Sequence, residues 1–371
     1  MIIKPIQLSS PDIGDEEKKA VNDVLNSPSL SMGPYIKKFE GNFSNYLGVK
    51  NAIAVSSGTA GLQVSVIAAG IKDGDEVITT PFSFVSSSNC LLYEHVKPVF
   101  VDIDPVTLTI DSEKIEAAIT SKTKAILPVH VFGLPCNMDK IMAIAKKHDL
   151  VVIEDACEAI GAEWHGQKTG TFGNFGVFAF YPNKQMTTGE GGMVVVNNDT
   201  HAAILRSLIN QGRDTDGTWL HHIRLGYNYR LDEMSSALGA VQISRINELL
   251  KKRDHVAEMY NKRLKKIPGV TIPCSSQGVR RSWFVYVIQL DEKYNRDSVM
   301  KKLDAEGIPT RPYFTPIHLQ PFYIDRFGYK EGDFPVAEEV SHKTLALPFH
   351  NNLSEEQVEY VCNTIERILI S

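Results

Sequence analysis

The chain has 371 residues, 43% of them hydrophobic and 22% charged, with a formal net charge of -5. That length suffices for two domains and a deep core, and the mild acidity excludes nucleic acid and anionic membrane as expected partners. No apolar run approaches the ~20 residues of a membrane span, and the first seven residues have neither a long apolar core nor a basic leader, so no signal peptide is expected. Cys90, Cys136, Cys157, Cys274 and Cys362 are scattered without C-x-x-C spacing. They read as reduced thiols of a cytoplasmic protein, with no disulfide frame and no metal site.

From Ser10 the pattern predicts a helix, with Ala20, Val21, Val24 and Leu25 as its apolar stripe. A second helix follows from Ile36 to Gly48, where the glycine ends it. Residues 51–55 form a strand that leads directly through Ser56, Ser57, Gly58 and Thr59 into a helix carrying Val64 and Ile67. Such a strand–turn–helix unit aims backbone N–H groups and the positive end of a helix at one point, which suits a phosphate. An ordinary Ser/Thr helix cap is the alternative. Glu76 to Pro81 is a strand, followed by Phe82, Ser83 and Phe84. Further strands cover 99–102 and 125–131, separated by a helix from Ser112 to Ile119, and another helix passes through Met142, Ile144 and Ala145. His130 lies at a strand end, either beside a ligand or satisfied within the core. Strands alternating with helices at this spacing predict an α/β fold, a mostly parallel sheet covered on both faces.

Val151 to Ile153 is an apolar run that stops at Glu154 and Asp155, placing acids at the carboxyl end of a strand, where open α/β sheets bind ligands. A second run, Phe178 to Phe180, reaches Tyr181 and Pro182 just before Asn183 and Lys184. The glycine-rich turn 187–192 then opens a third run, Met193 to Val196. A lysine amine forms a Schiff base with a carbonyl, including the aldehyde of pyridoxal phosphate (PLP). PLP sites add a carboxylate at the pyridine nitrogen, so that the ring absorbs carbanion charge. Lys184 is the candidate for the amine and Asp155 for the carboxylate. Cys157 reads as a buried small hydrophobe, not a nucleophile.

Beyond a helix from Ala202 to Ile209 comes a polar loop, Gln211 to Trp219. His221 and His222 diverge in an extended segment and make no metal site. From Asp232 one long helix carries Met234, Leu238, Val241, Ile246, Leu249 and Leu250, with Lys251 to Arg253 as a solvated basic face. Arg230 either serves a substrate phosphate or pairs with Asp232. Pro268 to Pro273 marks entry into a smaller domain, with a strand from Trp283 to Leu290, a helix from Arg296 to Glu306 and a last helix from Glu355 to Ile370. Residues 1–250 are therefore expected to form a large domain and 251–371 a small C-terminal one.

Several blocks together resemble the DegT/StrS-type nucleotide-sugar aminotransferases, a branch of the fold type I PLP enzymes. They are EDACEAIGA at 154–162, GTFGNFGVFAFYPNK at 170–184, TTGEGG at 187–192, Gly33-Pro34 with Phe39-Glu40, and G-x-N-x-R at 226–230. The resemblance covers nearly the whole chain. It implies a mixed, mostly parallel seven-stranded sheet sandwiched by helices, plus a smaller α+β C-terminal domain. It also implies PLP as cofactor, with Gly58 and Thr59 at its phosphate, Phe84 against its ring and Glu158 near its phenolic oxygen. Asn228 would reach across the interface of a homodimer with shared active sites. The segment from Arg311 to Pro321 resembles one that builds the sugar pocket, which makes Tyr313 and His318 substrate candidates beside Arg230. Two departures stand out: Glu158 where many relatives carry glutamine or histidine, and Ala179 where serine is frequent. The implied activity is transamination of a nucleotide-linked keto-deoxysugar, at C4, with glutamate or glutamine as donor, giving an amino sugar for a polysaccharide. Alternatives on the same fold are a 3-keto-sugar, amino-cyclitol or aminobenzoate enzyme; dehydratases replace the lysine with histidine, so Lys184 argues against them. A non-catalytic regulator is the reading from another class. The identity of the sugar and nucleotide is left open.

Overall fold

The computed structural model describes residues 5–214 and 218–370. Residues 1–4 of the N-terminal stretch in which no signal peptide is expected, and residues 215–217 of the expected polar loop, lie outside the described residues. The strands in chain order are β1 (Asn51–Val55), β2 (Glu76–Thr79), β3 (Lys97–Phe100), β4 (Thr123–Ile126), β5 (Val151–Asp155), β6 (Glu163–Trp164) and β7 (Gln167–Lys168). Then follow β8 (Phe175–Ala179), β9 (Gly192–Val196), β10 (Val270–Thr271), β11 (Val279–Arg280), β12 (Tyr286–Leu290) and β13 (Thr344–Leu347). Seven of these build one sheet in the order β1-β9-β8-β5-β4-β2-β3, parallel throughout except for β9, which runs against both neighbours.

Alternation along each strand feeds two separate cores. Ile53 and Val55 of β1, Phe175 and Val177 of β8, and Val194 and Val196 of β9 point to one face. There they meet α3 (Gly58–Ala68) and α6 (Asp199–Ile209), represented by Leu62, Val66 and Leu205. Ala52 and Ala54, Phe178, and Met193 and Val195 point to the other face. They meet Phe39 and Phe43 of α2 (Pro34–Leu47), Ile243 of α7 (Glu233–Ser244) and Leu249 of α8 (Ile246–Leu264). A two-residue side-chain period with both faces apolar is the signature of a sheet buried on both sides.

A second, antiparallel sheet, β10-β12-β13, packs on the later half of α8 and on α9 (Arg296–Ala305) and α12 (Glu355–Ile370) through Tyr260, Tyr286, Leu303, Leu345 and Val361. Residue 250, the expected domain boundary, lies inside α8, so one continuous helix serves both cores. The N-terminal segment crosses the same boundary: Ile6 packs on the second core, and Phe349 N–H donates to the Leu8 carbonyl at 2.9 Å.

Three local expectations are corrected. The helix from Ser112 to Ile119 is only a 3₁₀ turn at Glu116–Ala118. Asp111 Oδ1 and Thr123 Oγ1 accept from the N–H groups of Glu113 and Thr120, and side-chain acceptors of this kind compete with helix formation. The long helix from Asp232 breaks into α7 and α8 at Arg245, whose φ and ψ are -95° and 1°. Its guanidinium reaches Glu17 at 2.5 Å, Glu248 at 3.2 Å and Asp12 at 3.4 Å. Nor is the basic run 251–253 uniformly solvated: Lys251 is exposed, Lys252 pairs with Asp12, and Arg253 is 2% exposed.

Glu17 is only 1% exposed. Burial works to raise its carboxyl, but hydrogen bonds from Gln242, Arg245 and the Gly14 N–H outweigh that and hold it below its ordinary value of 4.5. Arg245→Ala removes one of these partners and strands a buried carboxylate, so it should lower stability by about 3 kcal/mol in urea unfolding at neutral pH. A carboxyl depressed by folding stabilises fully above its unfolded pKa and loses that contribution as pH falls through the folded one. The gap between wild type and variant should therefore shrink below pH 4.5, the ordinary value of this carboxyl.

Candidate active site

The carboxyl ends of β1, β5 and β8 meet around a cavity of about 530 Å³, within the ordinary range for a small-molecule site. Its lining includes Gly58, Thr59, Phe84, Asp155, Glu158 and Lys184. The carboxylate and the amine singled out in the sequence thus open into one space, together with four of the residues that the family resemblance adds.

Glu154 and Asp155 close β5 and, being consecutive on a strand, face opposite sides. Asp155 turns to the cavity, where Oδ2 accepts from Ser87 Oγ at 2.7 Å and Oδ1 from the Cys157 N–H at 3.1 Å. Ser83 and Ser87 hydroxyls are 2.7 Å apart; since Ser87 gives its proton to the carboxylate, Ser83 is the donor between them. Glu154 turns inward and accepts from the N–H groups of Gly170, Phe172 and Gly173, each at 2.7 Å, and from His130 Nε2 at 3.0 Å. The Cys136 N–H donates to Nδ1 of the same ring, so His130 is a satisfied core histidine.

Lys184 ends a turn through Tyr181, Pro182 and Asn183, closed by its own N–H donating to the Tyr181 carbonyl at 2.9 Å. Proline at the second place of such a turn presets the backbone. The lysine side chain is 13% exposed, with Nζ 3.6 Å from Glu158 Oε1 and 3.8 Å from the centre of the Phe284 ring. Burial pushes the Glu158 carboxyl up against the opposing charge of Lys184, while Oε2 accepts from the Phe132 N–H at 2.9 Å. Burial likewise raises the Cys157 thiol well above its ordinary value, which keeps it protonated and unreactive.

At β1, Ser57 caps α3, its hydroxyl accepting from the Ala60 N–H at 3.1 Å. The cap is therefore Ser57, and the Thr59 hydroxyl, which donates to Ser86 Oγ at 2.9 Å, lies on the cavity wall beside Gly58. A Cβ on Gly58 would come within 2.7 Å of Ala179 Cβ and 2.8 Å of Cys157 Sγ, so only glycine lets the backbone pass here. Phe84 is 60% exposed, and a large aromatic face left open at a cavity suits a flat partner.

The remaining candidates separate. Tyr313 lines the cavity, its phenol pushed up to about 12 by burial. His318 does not line it: its side chain is fully buried and Nε2 bonds Glu338 Oε1 at 2.9 Å. Arg230 bonds Asn210 Oδ1 at 2.8 Å, not Asp232, whose carboxylate instead caps α7. Asn228 is exposed and outside the cavity lining within this chain. Ser83, Ser87, Tyr181 and Phe284 are wall residues that the sequence reading did not assign. Ser87 sits in a run of three serines, and only the register of α4 (Ser86–Leu92) selects which of them meets Asp155.

An amine, a carboxylate on another strand end, an open aromatic face, and a helix start with hydroxyls together fit PLP: aldehyde, ring nitrogen, ring face and phosphate each have a chemical counterpart. Comparison with known proteins agrees. The DegT/DnrJ/EryC1/StrS aminotransferase family model matches residues 11–366. GDP-perosamine synthase of Caulobacter vibrioides is 38% identical, covering 98% of each chain. The spore coat polysaccharide biosynthesis protein SpsC of Bacillus subtilis is also 38% identical, over 97% of this chain and 96% of its own. A sugar aminotransferase of Streptococcus pneumoniae solved in its PLP form superposes with a TM-score of 0.93 at 26% identity, covering 98% of both chains. The chain belongs to the DegT/DnrJ/EryC1/StrS aminotransferase family and is a PLP-dependent sugar aminotransferase.

Proposed function

We propose that this enzyme aminates the C4 keto group of a nucleotide-linked deoxysugar, taking nitrogen from glutamate or glutamine. The product would be an amino sugar for a surface polysaccharide. The observation that carries this reading is the convergence of Lys184 and Asp155 on one aromatic-walled cavity. The relatives GDP-perosamine synthase and SpsC, named for a nucleotide-linked sugar and for a spore coat polysaccharide, support that substrate class and product. Among the described residues no helix is long and apolar enough to cross a membrane, and we place the reaction in the cytoplasm.

When bound, PLP supplies an electron sink for the carbanion formed at the amino donor's α-carbon. The residues supply the rest. Asp155, fixed by Ser87 and the Cys157 N–H, is the acceptor for the ring-nitrogen proton. Lys184 Nζ takes the proton from the donor's α-carbon and, in the second half-reaction, delivers one to product and regains its resting place. Glu158, its carboxyl pushed up by burial against the charge of Lys184, stands at the cavity wall where many relatives use glutamine or histidine. Thr59, Gly58 and Ser86 receive the phosphate without the hydroxyl that Ala179 lacks. Tyr181 and Tyr313 at the wall serve the sugar. Asn228, exposed in the single chain, completes the partner's site in a homodimer.

Lys184→Ala should abolish the visible cofactor band and lower kcat by roughly 10²–10⁴-fold or more; full turnover in that variant would remove the assignment. Asp155→Asn should retain the fold and lose about 10²–10³-fold in kcat, the scale of one preorganised electrostatic partner. For the shared site, equal mixing of inactive Lys184→Ala and Asn228→Ala proteins should restore activity, because hybrid dimers contain one intact site. No recovery after verified exchange of subunits counts against it. Incubating UDP-, dTDP- and GDP-linked keto-sugars with glutamate, followed by NMR of the product, identifies the aminated carbon; nitrogen at C3 would correct the reading.

A further inference from the structure

Arg253 is a buried charge that the chemistry above leaves unused. It sits on α8 with 2% exposure, and among the described residues no carboxylate hydrogen-bonds its guanidinium. Burial pushes it down to about 10, which still leaves it cationic at neutral pH. Its two terminal nitrogens divide their bonds between two segments. One donates to the Lys184 and Asn183 carbonyls at 2.8 and 3.4 Å. The other donates to the Phe284 and Trp283 carbonyls at 3.1 and 3.3 Å. A desolvated guanidinium is expensive unless it is hydrogen-bonded, and here the acceptors are four main-chain carbonyls, three of them from residues that line the cavity, Asn183, Lys184 and Phe284.

The next residue repeats the arrangement. Gln185 Nε2 donates to the Glu158 carbonyl at 2.6 Å and to Ser282 O and Oγ at 3.1 and 3.0 Å. The segment carrying Lys184 is thus tied on both sides to the segment carrying Phe284, and the side chain of one lies over the ring of the other at 3.8 Å. A lysine has a long flexible stem, so the position of its amine is defined only if the root is anchored and the tip has a surface to rest on.

We propose that Arg253 is a positioning residue for Lys184, clamping its main chain to that of Phe284 so that the amine is held against the Phe284 ring. The inference rests on the reading of Lys184 as the proton-transferring amine. The planar fork of arginine is required because one lysine ammonium cannot serve two carbonyl pairs in fixed directions. A displacement of the reacting group by about 1 Å is enough for a roughly 10²-fold loss of rate.

The test uses the PLP-loaded enzyme with Arg253→Lys, Arg253→Met and Phe284→Leu. Arg253→Lys should bind cofactor and fold, with kcat down about 10–100-fold, KM for the sugar unchanged within about twofold, and the pH titration of the visible band shifted. Phe284→Leu should shift the same titration with Arg253 in place. If Arg253 is merely a structural staple, the Tm of Arg253→Met falls while kcat per bound cofactor and the band's titration in Arg253→Lys and Phe284→Leu stay at wild-type values; that result overturns the proposal. Should Arg253→Lys fail to hold cofactor, Phe284→Leu alone decides by the same criteria. Lys184→Ala run alongside separates the two levels. Turnover retained there refutes the reading of the lysine itself, whereas loss there with unaffected clamp variants refutes only the clamp.

Discussion

The site depends on a buried anion that performs no chemistry. Glu154 has no exposed surface, and its two oxygens accept four hydrogen bonds, three from the backbone of Gly170, Phe172 and Gly173 and one from His130. A carboxylate has about four acceptor positions, so this one is saturated. Leaving any of these donors unpaired inside the core would be costly, and the loop leading into β8 therefore has one arrangement. That loop sets β8 beside β5 with Glu154 opposite Gly176 and Asp155 opposite Val177. From there the chain runs to Ala179, the proline turn and Lys184. The distance along the chain between acid and amine is thereby converted into a shared cavity. Gly176 belongs to the same constraint, since a Cβ there would lie 2.1 Å from the Gly170 carbonyl oxygen.

A second constraint joins the two cores. Helix α8 contributes Ile246, Leu249 and Leu250 to the large-sheet core and Val256, Tyr260 and Leu264 to the small one. Between these groups sits Arg253, whose bonds reach the lysine turn and the segment before β12. Gly133 makes the same junction from the other side: its N–H and carbonyl lie against 130 and 282, and a Cβ would collide with the Ser282 carbonyl at 1.6 Å. The cavity wall contributed by Phe284, Tyr313 and Phe314 is consequently held to the large sheet by main-chain hydrogen bonds as well as by apolar contact.

The electrostatics divide labour between neighbours. Asp155 is held by a serine and a backbone N–H, whereas Glu158, three residues on, has burial pushing its carboxyl toward the neutral form with Lys184 at 3.6 Å. Two carboxyls three residues apart thus stand in different surroundings, one hydrogen-bonded by a serine and a backbone N–H and the other buried beside an ammonium. Family membership and PLP dependence follow from the whole chain, and the residues that depart from the family pattern, Glu158 and Ala179, both sit on the cavity wall.

Local signals in the chain were sufficient to determine the α/β class, most helices, the strand end that carries Asp155, the proline turn before Lys184 and the strand–turn–helix unit at 51–67, because these depend on hydrophobic period and turn residues over a few neighbours. The resemblance of ordered blocks extended that to the family and cofactor. What only the tertiary structure decided were matters of which distant groups meet. Arg253 reads as part of a solvated basic run, yet three-dimensional packing buries it; Arg230 finds Asn210 instead of the nearby Asp232; His318 lies against Glu338 and not in the cavity. The choice of Ser87 among three serines, and of Phe284 as the surface beneath the lysine, likewise follows from register between segments far apart in sequence. A polar side chain's role is set by the partner that desolvation forces on it, and that partner is specified by the fold as a whole, not by its neighbours along the chain.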